Sequence, residues 1–183
     1  RAGVAASDIS YAEKFGYRIK LLGVTKRTPE GIELRVHPTL IPEHQLIANV
    51  NGVMNAVMIK GDAVGSTLYY GAGAGSEPTG SSVVADLIDV TRLHTADPEH
   101  RVPHLAFQPN ALENIPVLPL SAVQTRYYLR LTVKDQKGVL ADVTRILAEH
   151  NISVDAMLQT EVDDARKEAQ IVVMTHICKE ADV

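Results

Sequence analysis

The sequence lacks several features that would place it in a specialised class of protein. No run of about 18 apolar residues occurs, which excludes a transmembrane helix. No basic-then-apolar segment opens the chain, as a secretory signal would. A single cysteine, Cys178, has no partner for an internal disulfide. These absences favour a globular protein of the reducing cytoplasm with no membrane partner.

Metal and nucleic-acid binding have equally little support. The seven histidines show no metal-site spacing, and one cysteine cannot form a Cys/His cluster. Eighteen bases stand against 22 acids, whereas an electrostatic binder of nucleic acid is normally basic. A basic cluster could hold an anion, but interleaved acids favour a solvated strand face. The cluster comprises Lys14, Arg18, Lys20, Lys26, Arg27 and Arg35.

Proline divides the chain into two differently built halves. Five prolines fall within the 22 residues from Pro98 to Pro119, a density that excludes a helix interior or a central strand. We therefore predict a first domain over residues 1–92, a proline-rich linker over 93–125 and a second domain over 126–183. Both halves mix helices with strands, so the predicted fold class is α+β.

The first half opens with a helix and a hairpin. We expect Ser7-Asp8 to cap a short helix over Ile9–Phe15. The strands Tyr17–Thr25 and Ile32–Val36 then form a β-hairpin across a proline–glycine turn. The second strand alternates apolar and charged residues, which is typical of a half-buried strand. His37-Pro38 is expected to end it, because proline has no N–H for the ladder.

The remainder of the first half leads to a glycine segment. A short helix is predicted from Pro42–Leu46, because proline suits a first helical turn. Two strands follow, over Asn55–Lys60 and Ser66–Tyr70. The segment Gly71–Gly75 then enters a helix over about Glu77–Arg92, with an apolar stripe. The stripe consists of Val83, Val84, Leu87, Ile88 and Val90.

The glycine segment, Gly71-Ala72-Gly73-Ala74-Gly75, joins a strand to a helix that Ser76 is expected to cap. Amides at a helix start point outward, and residues without Cβ let a phosphate or flat ring approach the backbone. The spacing departs from the Gly-x-Gly-x-x-Gly of dinucleotide sites. A ligand contact and a loop that needs small residues for packing both stay open.

The second half follows a β-α-β-β order. Strands are predicted over Tyr127–Val133, Ile152–Leu158 and Ala169–Ile177, and a helix over Val139–His150. A charged turn is predicted over Glu161–Lys167. This order begins a ferredoxin-like fold, which would need one more helix and strand. We therefore expect a truncated version of that fold with an open sheet edge.

Two resemblances cover most of the chain. Residues 8–90 resemble the C-terminal part of the substrate domain of homoserine dehydrogenase, a partial mixed-sheet domain. Residues 127–160 resemble the ACT domain, a ferredoxin-like amino-acid sensor. The homoserine dehydrogenase motifs are Tyr11–Gly23, His37-Pro38, Asn55-Ala56-Val57, Gly61-Asp62, Gly71–Gly75, Pro78-Thr79 and Asp86. The ACT motifs are Tyr127–Val133, Asp135–Leu140, Ile146-Leu147 and Asn151–Val154.

The first resemblance implies an oxidoreductase of threonine and methionine biosynthesis. Its family interconverts aspartate 4-semialdehyde and homoserine by hydride transfer with NADP or NAD. The family's Rossmann domain and catalytic lysine segment would lie upstream of Arg1. We therefore assign no catalytic residue and expect the chain alone to be inactive. The resemblance places Gly75 and Thr79 near the nicotinamide end of the cofactor.

The second resemblance implies a small amino-acid effector, which pathway logic identifies as threonine. The amides of Gly138, Val139 and Leu140 open a helix and can hold the effector's carboxylate. Asp135 can accept hydrogen bonds from its ammonium group. The alternative is that Asp135 and Gly138 merely shape a turn.

The ACT resemblance also implies a homo-oligomer, a dimer or tetramer. Such modules pair edge to edge, so Asn151, Ile152 and Val154 are expected to face a neighbour. The leading interpretation is part of a homoserine dehydrogenase. The alternatives are a non-catalytic amino-acid-binding regulator and an α+β packing domain without ligand dependence.

Overall fold

A computed structural model describes residues 3–95, 109–159 and 167–183. The chain forms two compact units. The first unit comprises Arg1–Phe15, Ile19–Leu40 and Ile115–Val183, and the second comprises Gly16–Arg18 and Ile41–Asn114. Within the described ranges, no helix combines the length and apolarity needed to cross a membrane.

The first helix, α1, spans Ala6–Lys14 and starts earlier than the sequence predicted. Ser7 and Asp8 lie inside its first turn rather than before it. Asp8 still satisfies the helix start, because its Oδ2 accepts a hydrogen bond from the Ala5 N–H at 2.7 Å. The chain leaves the helix through Gly16, whose φ of 76° favours glycine.

The predicted hairpin is present, but its second strand is longer than expected. β1 spans Tyr17–Thr28 and β2 spans Gly31–Pro42, and they form a two-stranded sheet. The expectation that His37-Pro38 ends the strand is wrong, because β2 has an open edge where proline costs no ladder bond. Instead of the helix predicted from Pro42, a 3₁₀ turn forms over Leu46–Asn49.

The face of β2 that is buried carries charge. Glu33 is 3% exposed, and its Oε2 lies 2.8 Å from Nη1 of Arg35. Lys26 Nζ lies 3.9 Å from the other carboxylate oxygen. Leu34 and Val36 are exposed instead. The strand is half-buried as predicted. Its covered side chains are those of the Glu33–Arg35 ion pair, whereas Leu34 and Val36 are exposed.

The second unit contains a hairpin and a long helix. β3 spans Met54–Gly61 and pairs antiparallel with β4, Gly65–Ala72. The helix α2 spans Ser76–Thr95. Its predicted apolar stripe is not buried, because all five side chains are at least 45% exposed. Among the residues that the structure describes, the stripe therefore contributes to no core.

The C-terminal sheet has the predicted order of elements. β5 spans Gln124–Thr125, β6 Tyr128–Lys134, α3 Val139–Glu149, β7 Val154–Gln159, β8 Glu168–Thr175 and β9 Cys178–Lys179. The main sheet has the order β6-β8-β7, antiparallel throughout, and β5 pairs with β9. This is the ferredoxin-like arrangement that the β-α-β-β pattern predicts. The predicted charged turn lies outside the described residues except for Lys167.

One face of this sheet forms the main hydrophobic core with α3. Leu147, Ile152, Ile171, Val173 and Cys178 are its buried members. The partly buried residues packed against them are Tyr127, Leu129, Leu131, Val133, Val143, Val154 and Met157. The predicted apolar face of β6 is thus confirmed. The side chains of Ile152 and Val154 pack inward, and the expectation that these residues face a neighbouring module stays a prediction.

The opposite face of the sheet holds α1 through a buried carboxylate. Asp8 Oδ1 accepts hydrogen bonds from the Tyr128 hydroxyl at 2.7 Å and from Arg130 Nε at 2.9 Å. The Tyr11 hydroxyl donates to Gln170 Oε1 at 3.1 Å. Burial and the hydrogen bond with Asp8 raise the pKa of Tyr128, so its phenol remains a donor at neutral pH.

Part of the predicted linker joins the first unit instead of running free of it. Residues 96–108 lie outside the described ranges. Further on, the Ile32 N–H donates to Pro116 O, and the Leu118 N–H donates to Ile32 O, both at 2.9 Å. These bonds form a parallel bridge between β2 and Val117. The described end of the linker is therefore fixed against the first hairpin.

We expect Asp8→Ala to destabilise the purified chain by about 2–4 kcal/mol, because it leaves Arg130 and a helix start without their acceptor. Chemical denaturation measures this loss as a change in the free energy of unfolding. Asp89→Ala is the matched control, because Asp89 is a 70% exposed side chain paired with Arg92. Its effect should stay within about 0.5 kcal/mol. Equal losses in the two variants would contradict a structural role for Asp8.

Candidate functional site

The glycine segment connects β4 to α2 as the sequence predicted. The helix begins at Ser76, and the Thr79 N–H donates to Gly75 O at 3.1 Å. Because Gly75 accepts this first helical bond, Gly75 rather than Ser76 stands at the N-cap. Pro78 has no N–H, so the amides of the first turn belong to Ser76 and Glu77.

Gly75 adopts a backbone conformation that favours glycine. Its φ is 139°, and a Cβ there would lie 3.1 Å from Pro78 Cδ. Thr79 lies one helical turn later and is exposed, as Gly75 is. The two predicted cofactor-binding residues therefore lie on one open face at the start of α2.

The other glycines of the segment have different reasons to be there. A Cβ on Gly73 would overlap the Asn55 side chain, while its N–H donates to Val53 O at 3.3 Å. Gly71 has open space where its Cβ would lie. The two interpretations that the sequence left open therefore apply to different residues. Close packing explains Gly73, and the open helix start at Gly75 is the part suited to a ligand.

The loop between β6 and α3 carries the four predicted effector residues. Gly138 stands at the N-cap of α3 with a φ of 95°, and its carbonyl accepts from the Asp142 N–H at 3.0 Å. Asp135, Gly138 and Leu140 are exposed, and Val139 is half-buried. The Val139 N–H donates to Gln136 O at 3.4 Å, a long turn bond.

The backbone on both sides fixes this loop. The Asp135 N–H donates to Lys167 O at 2.9 Å, and the Gln136 N–H donates to Lys134 O at the same distance. Asp135 is thereby held three residues before Gly138, the N-cap of α3. That arrangement offers an acceptor for an ammonium group next to amides that favour a carboxylate.

Sequence reasoning missed the role of Asp8. The residue was expected to cap a helix, and its contacts with Tyr128 and Arg130 span 120 positions or more of sequence. One signal was available, because Tyr128 and Arg130 are polar residues on the face of β6 opposite its apolar side chains. The pattern indicates a polar contact on that face without identifying the partner.

The remaining candidates have structural explanations. Cys178 is 8% exposed in the core, with its sulfur 3.7 Å from the Thr175 hydroxyl, which confirms its prediction as a small core residue. Arg35 and Lys26 of the basic cluster lie near Glu33. In the ranges that the structure describes, no group of three or more acidic, histidine or cysteine side chains is placed to hold a metal.

The fold and its two loops define the class of protein. A ferredoxin-like sheet with a glycine-capped helix start accompanies a strand–glycine loop–helix segment, so a sensor-type module is joined to a segment of an enzyme type. Residues 127–183 match the ACT domain family, and residues 2–88 match the homoserine dehydrogenase family. The chain belongs to the homoserine dehydrogenase family and corresponds to its C-terminal region, with an ACT domain.

Individual relatives agree with this assignment. The chain is 60% identical to a homoserine dehydrogenase of Pseudomonas aeruginosa over 94% of its own length and 40% of the relative's. It is 57% identical to the homoserine dehydrogenase of Neisseria gonorrhoeae, over 92% of its own length and 39% of the relative's. A crystal structure of a homoserine dehydrogenase from Thiobacillus denitrificans matches with a TM-score of 0.86 and 64% identity, over 96% of this chain and 39% of that one. The chain spans about two fifths of the length of these relatives.

Gly73→Ala and Gly71→Ala separate packing from conformational freedom in the glycine segment. Gly73→Ala should destabilise the chain by about 1 kcal/mol, because the new Cβ must displace the exposed Asn55 side chain. Gly71→Ala, where the space is open, should change stability by less than about 0.5 kcal/mol. Chemical denaturation of both purified variants measures the difference. Indistinguishable stabilities would show that Gly73 is not held by packing against Asn55.

Proposed function

We propose that this chain is part of an NAD(P)-dependent homoserine dehydrogenase. The reaction transfers a hydride from NAD(P)H to the aldehyde carbon of aspartate 4-semialdehyde, and a proton to its oxygen, giving L-homoserine and NAD(P)⁺. The observation that carries the proposal is the exposed helix start at Gly75 within a segment matching this family. The products supply threonine and methionine biosynthesis.

The residues at the start of α2 fit the nicotinamide end of such a cofactor. Gly75 has no side chain, is exposed, and holds a φ of 139° that leaves its main chain uncovered. A flat ring can lie against that backbone, while Thr79 supplies a hydroxyl one turn along the same face. The cofactor itself supplies the hydride. Gly75 and Thr79 would position the ring, and neither acts as a proton donor in this proposal.

We also propose that the ACT domain binds an amino acid, with threonine as the effector. The support is chemical: Gly138 to Leu140 present the start of α3, and Asp135 lies beside it. A carboxylate is favoured at a helix N-terminus, and an ammonium group is favoured beside a carboxylate. An α-amino acid carries both groups on one carbon, which suits two adjacent subsites.

The working enzyme is proposed to be a homo-oligomer, a dimer or tetramer. Several large apolar side chains of the second unit are at least half exposed, and patches of this kind normally mark interaction surfaces. They include Val57, Met58, Ile59, Tyr69, Tyr70, Val83, Val84, Leu87 and Val90. We further propose that residues 1–92 form part of the substrate domain, that residues 126–183 form the ACT domain, and that residues 93–125 link the two.

Gly75→Val in the full-length enzyme should raise the KM for the cofactor at least tenfold, because a branched side chain would occupy the space proposed for the nicotinamide ring. Steady-state kinetics with NADPH and NADH measures the effect. Gly71→Val is the matched control, since its Cβ points into open space in a strand that tolerates valine. An unchanged cofactor KM and kcat in Gly75→Val would exclude the proposed contact.

L-threonine should raise the melting temperature of the full-length enzyme in a dose-dependent way, because a ligand that binds the folded state stabilises it. Asp135→Asn should weaken threonine binding about tenfold, the loss expected from one charge-assisted hydrogen bond. Asp89→Asn, at an exposed site on α2, should bind like the wild type. No thermal response to threonine would rule out this effector.

A further inference from the structure

The Asp8 carboxylate joins two segments that belong to different families. Asp8 lies in α1, within the residues that match homoserine dehydrogenase, and Tyr128 and Arg130 lie in β6 of the ACT domain. Its two oxygens accept three hydrogen bonds of 2.7 to 2.9 Å, one of them from the Ala5 amide at the helix start. Asp8 is 5% exposed, so little water could hydrogen-bond to its carboxylate if these donors were lost.

A second contact fixes the orientation of α1 on the sheet. Tyr11, nearly one turn after Asp8, donates its hydroxyl to Gln170 of β8 at 3.1 Å. Val172 and Met174, on the same face of β8 as Gln170, are at most 6% exposed. Because α1 is held on two adjacent strands, it cannot rotate about one contact without losing the other.

Strand β6 connects this contact to the effector loop. Its side chains Leu129, Leu131 and Val133 pack with α3 on one face, while Tyr128 and Arg130 hold Asp8 on the other. The strand ends at Lys134, and the candidate effector residues begin at Asp135. Arg130 and Asp135 are five residues apart, about 17 Å along an extended strand.

We propose that Asp8 is a positioning residue that couples effector binding at the ACT domain to the homoserine dehydrogenase segment, through its hydrogen bonds with Tyr128 and Arg130. The proposal rests on the proposed effector site. An effector that binds the start of α3 acts on β6 through their shared core, and β6 acts on α1 through Asp8. A buried carboxylate without its donors is costly, so a shift of β6 away from Asp8 would weaken the hold of the sheet on α1.

The test compares Tyr128→Phe and Asp8→Asn with the wild type in the full-length enzyme. Tyr128→Phe removes one hydroxyl from the contact and leaves the Arg130 bond, so it also decides the matter if Asp8→Asn does not fold. Thr132→Val is the matched control, because Thr132 is an exposed residue on the same face of β6. For each protein, steady-state kinetics gives kcat, KM and the inhibition at saturating L-threonine.

The expected result separates coupling from binding. Tyr128→Phe should keep kcat and KM within about twofold and bind threonine within about threefold of the wild type by calorimetry. Its ratio of activity without threonine to activity with threonine should fall at least fivefold, the lower end of typical allosteric coupling. Because coupling between binding sites is reciprocal, the factor by which NADPH changes the affinity for threonine should be smaller in Tyr128→Phe than in the wild type and in Thr132→Val.

Two results would overturn the proposal, and they are distinguishable. If wild-type activity responds to threonine and Tyr128→Phe and Asp8→Asn respond to the same extent, the coupling role of Asp8 is wrong while effector control stands. If the wild type neither binds nor responds to any of the twenty proteinogenic amino acids, effector control is wrong and the coupling role falls with it. A lower melting temperature with unchanged inhibition would show a purely structural contact.

Discussion

The first unit depends on one constraint, which is that β8 must be covered on both faces. Its residues from Ile171 to Thr175 are all at most 6% exposed. Ile171 and Val173 pack with α3, an element of the same ACT domain. Val172 and Met174 point the other way, where α1 crosses the sheet. A helix from the homoserine dehydrogenase segment therefore contacts the second face of the ACT sheet, through Asp8 and Tyr11.

The two candidate sites share one device. Both Gly75 and Gly138 stand at the N-cap of a helix with positive φ, and both lie within four residues of the end of a strand. In each case the glycine opens a helix whose first-turn amides lack intrahelical partners, although the Val139 N–H makes a long turn bond to Gln136 O. Their surroundings differ, since the loop at Gly138 carries a carboxylate at Asp135 while the start at Gly75 carries Thr79. On that difference rests the proposal of an amino acid at one site and a flat ring at the other.

The sequence was most informative where a local pattern determines the structure. The alternation in Tyr127–Val133 and the helical spacing in Val139–His150 led directly to the ferredoxin-like order, because both signals come from side chains facing one core. Patterns failed where the deciding neighbour lies far away in sequence. Pro38 did not end β2, because the outcome depends on whether a further strand pairs with that edge of β2. The contacts of Asp8 could not be read from residues more than a hundred positions apart.

The connection of the two units has a consequence for how the protein can be divided. Along the sequence, most of the second unit is an insertion between two segments of the first, since the chain leaves the first unit after Leu40 and returns at Ile115. On its return, it lies across the start of β2, where any side chain at Gly31 would meet the Pro116 carbonyl. The ACT domain is thus not a separate module joined to the chain only by a linker, because it also contacts α1. Cutting the gene before residue 126 would remove two of the three donors of the Asp8 carboxylate, so a clean regulatory deletion needs Asp8 redesigned along with the cut.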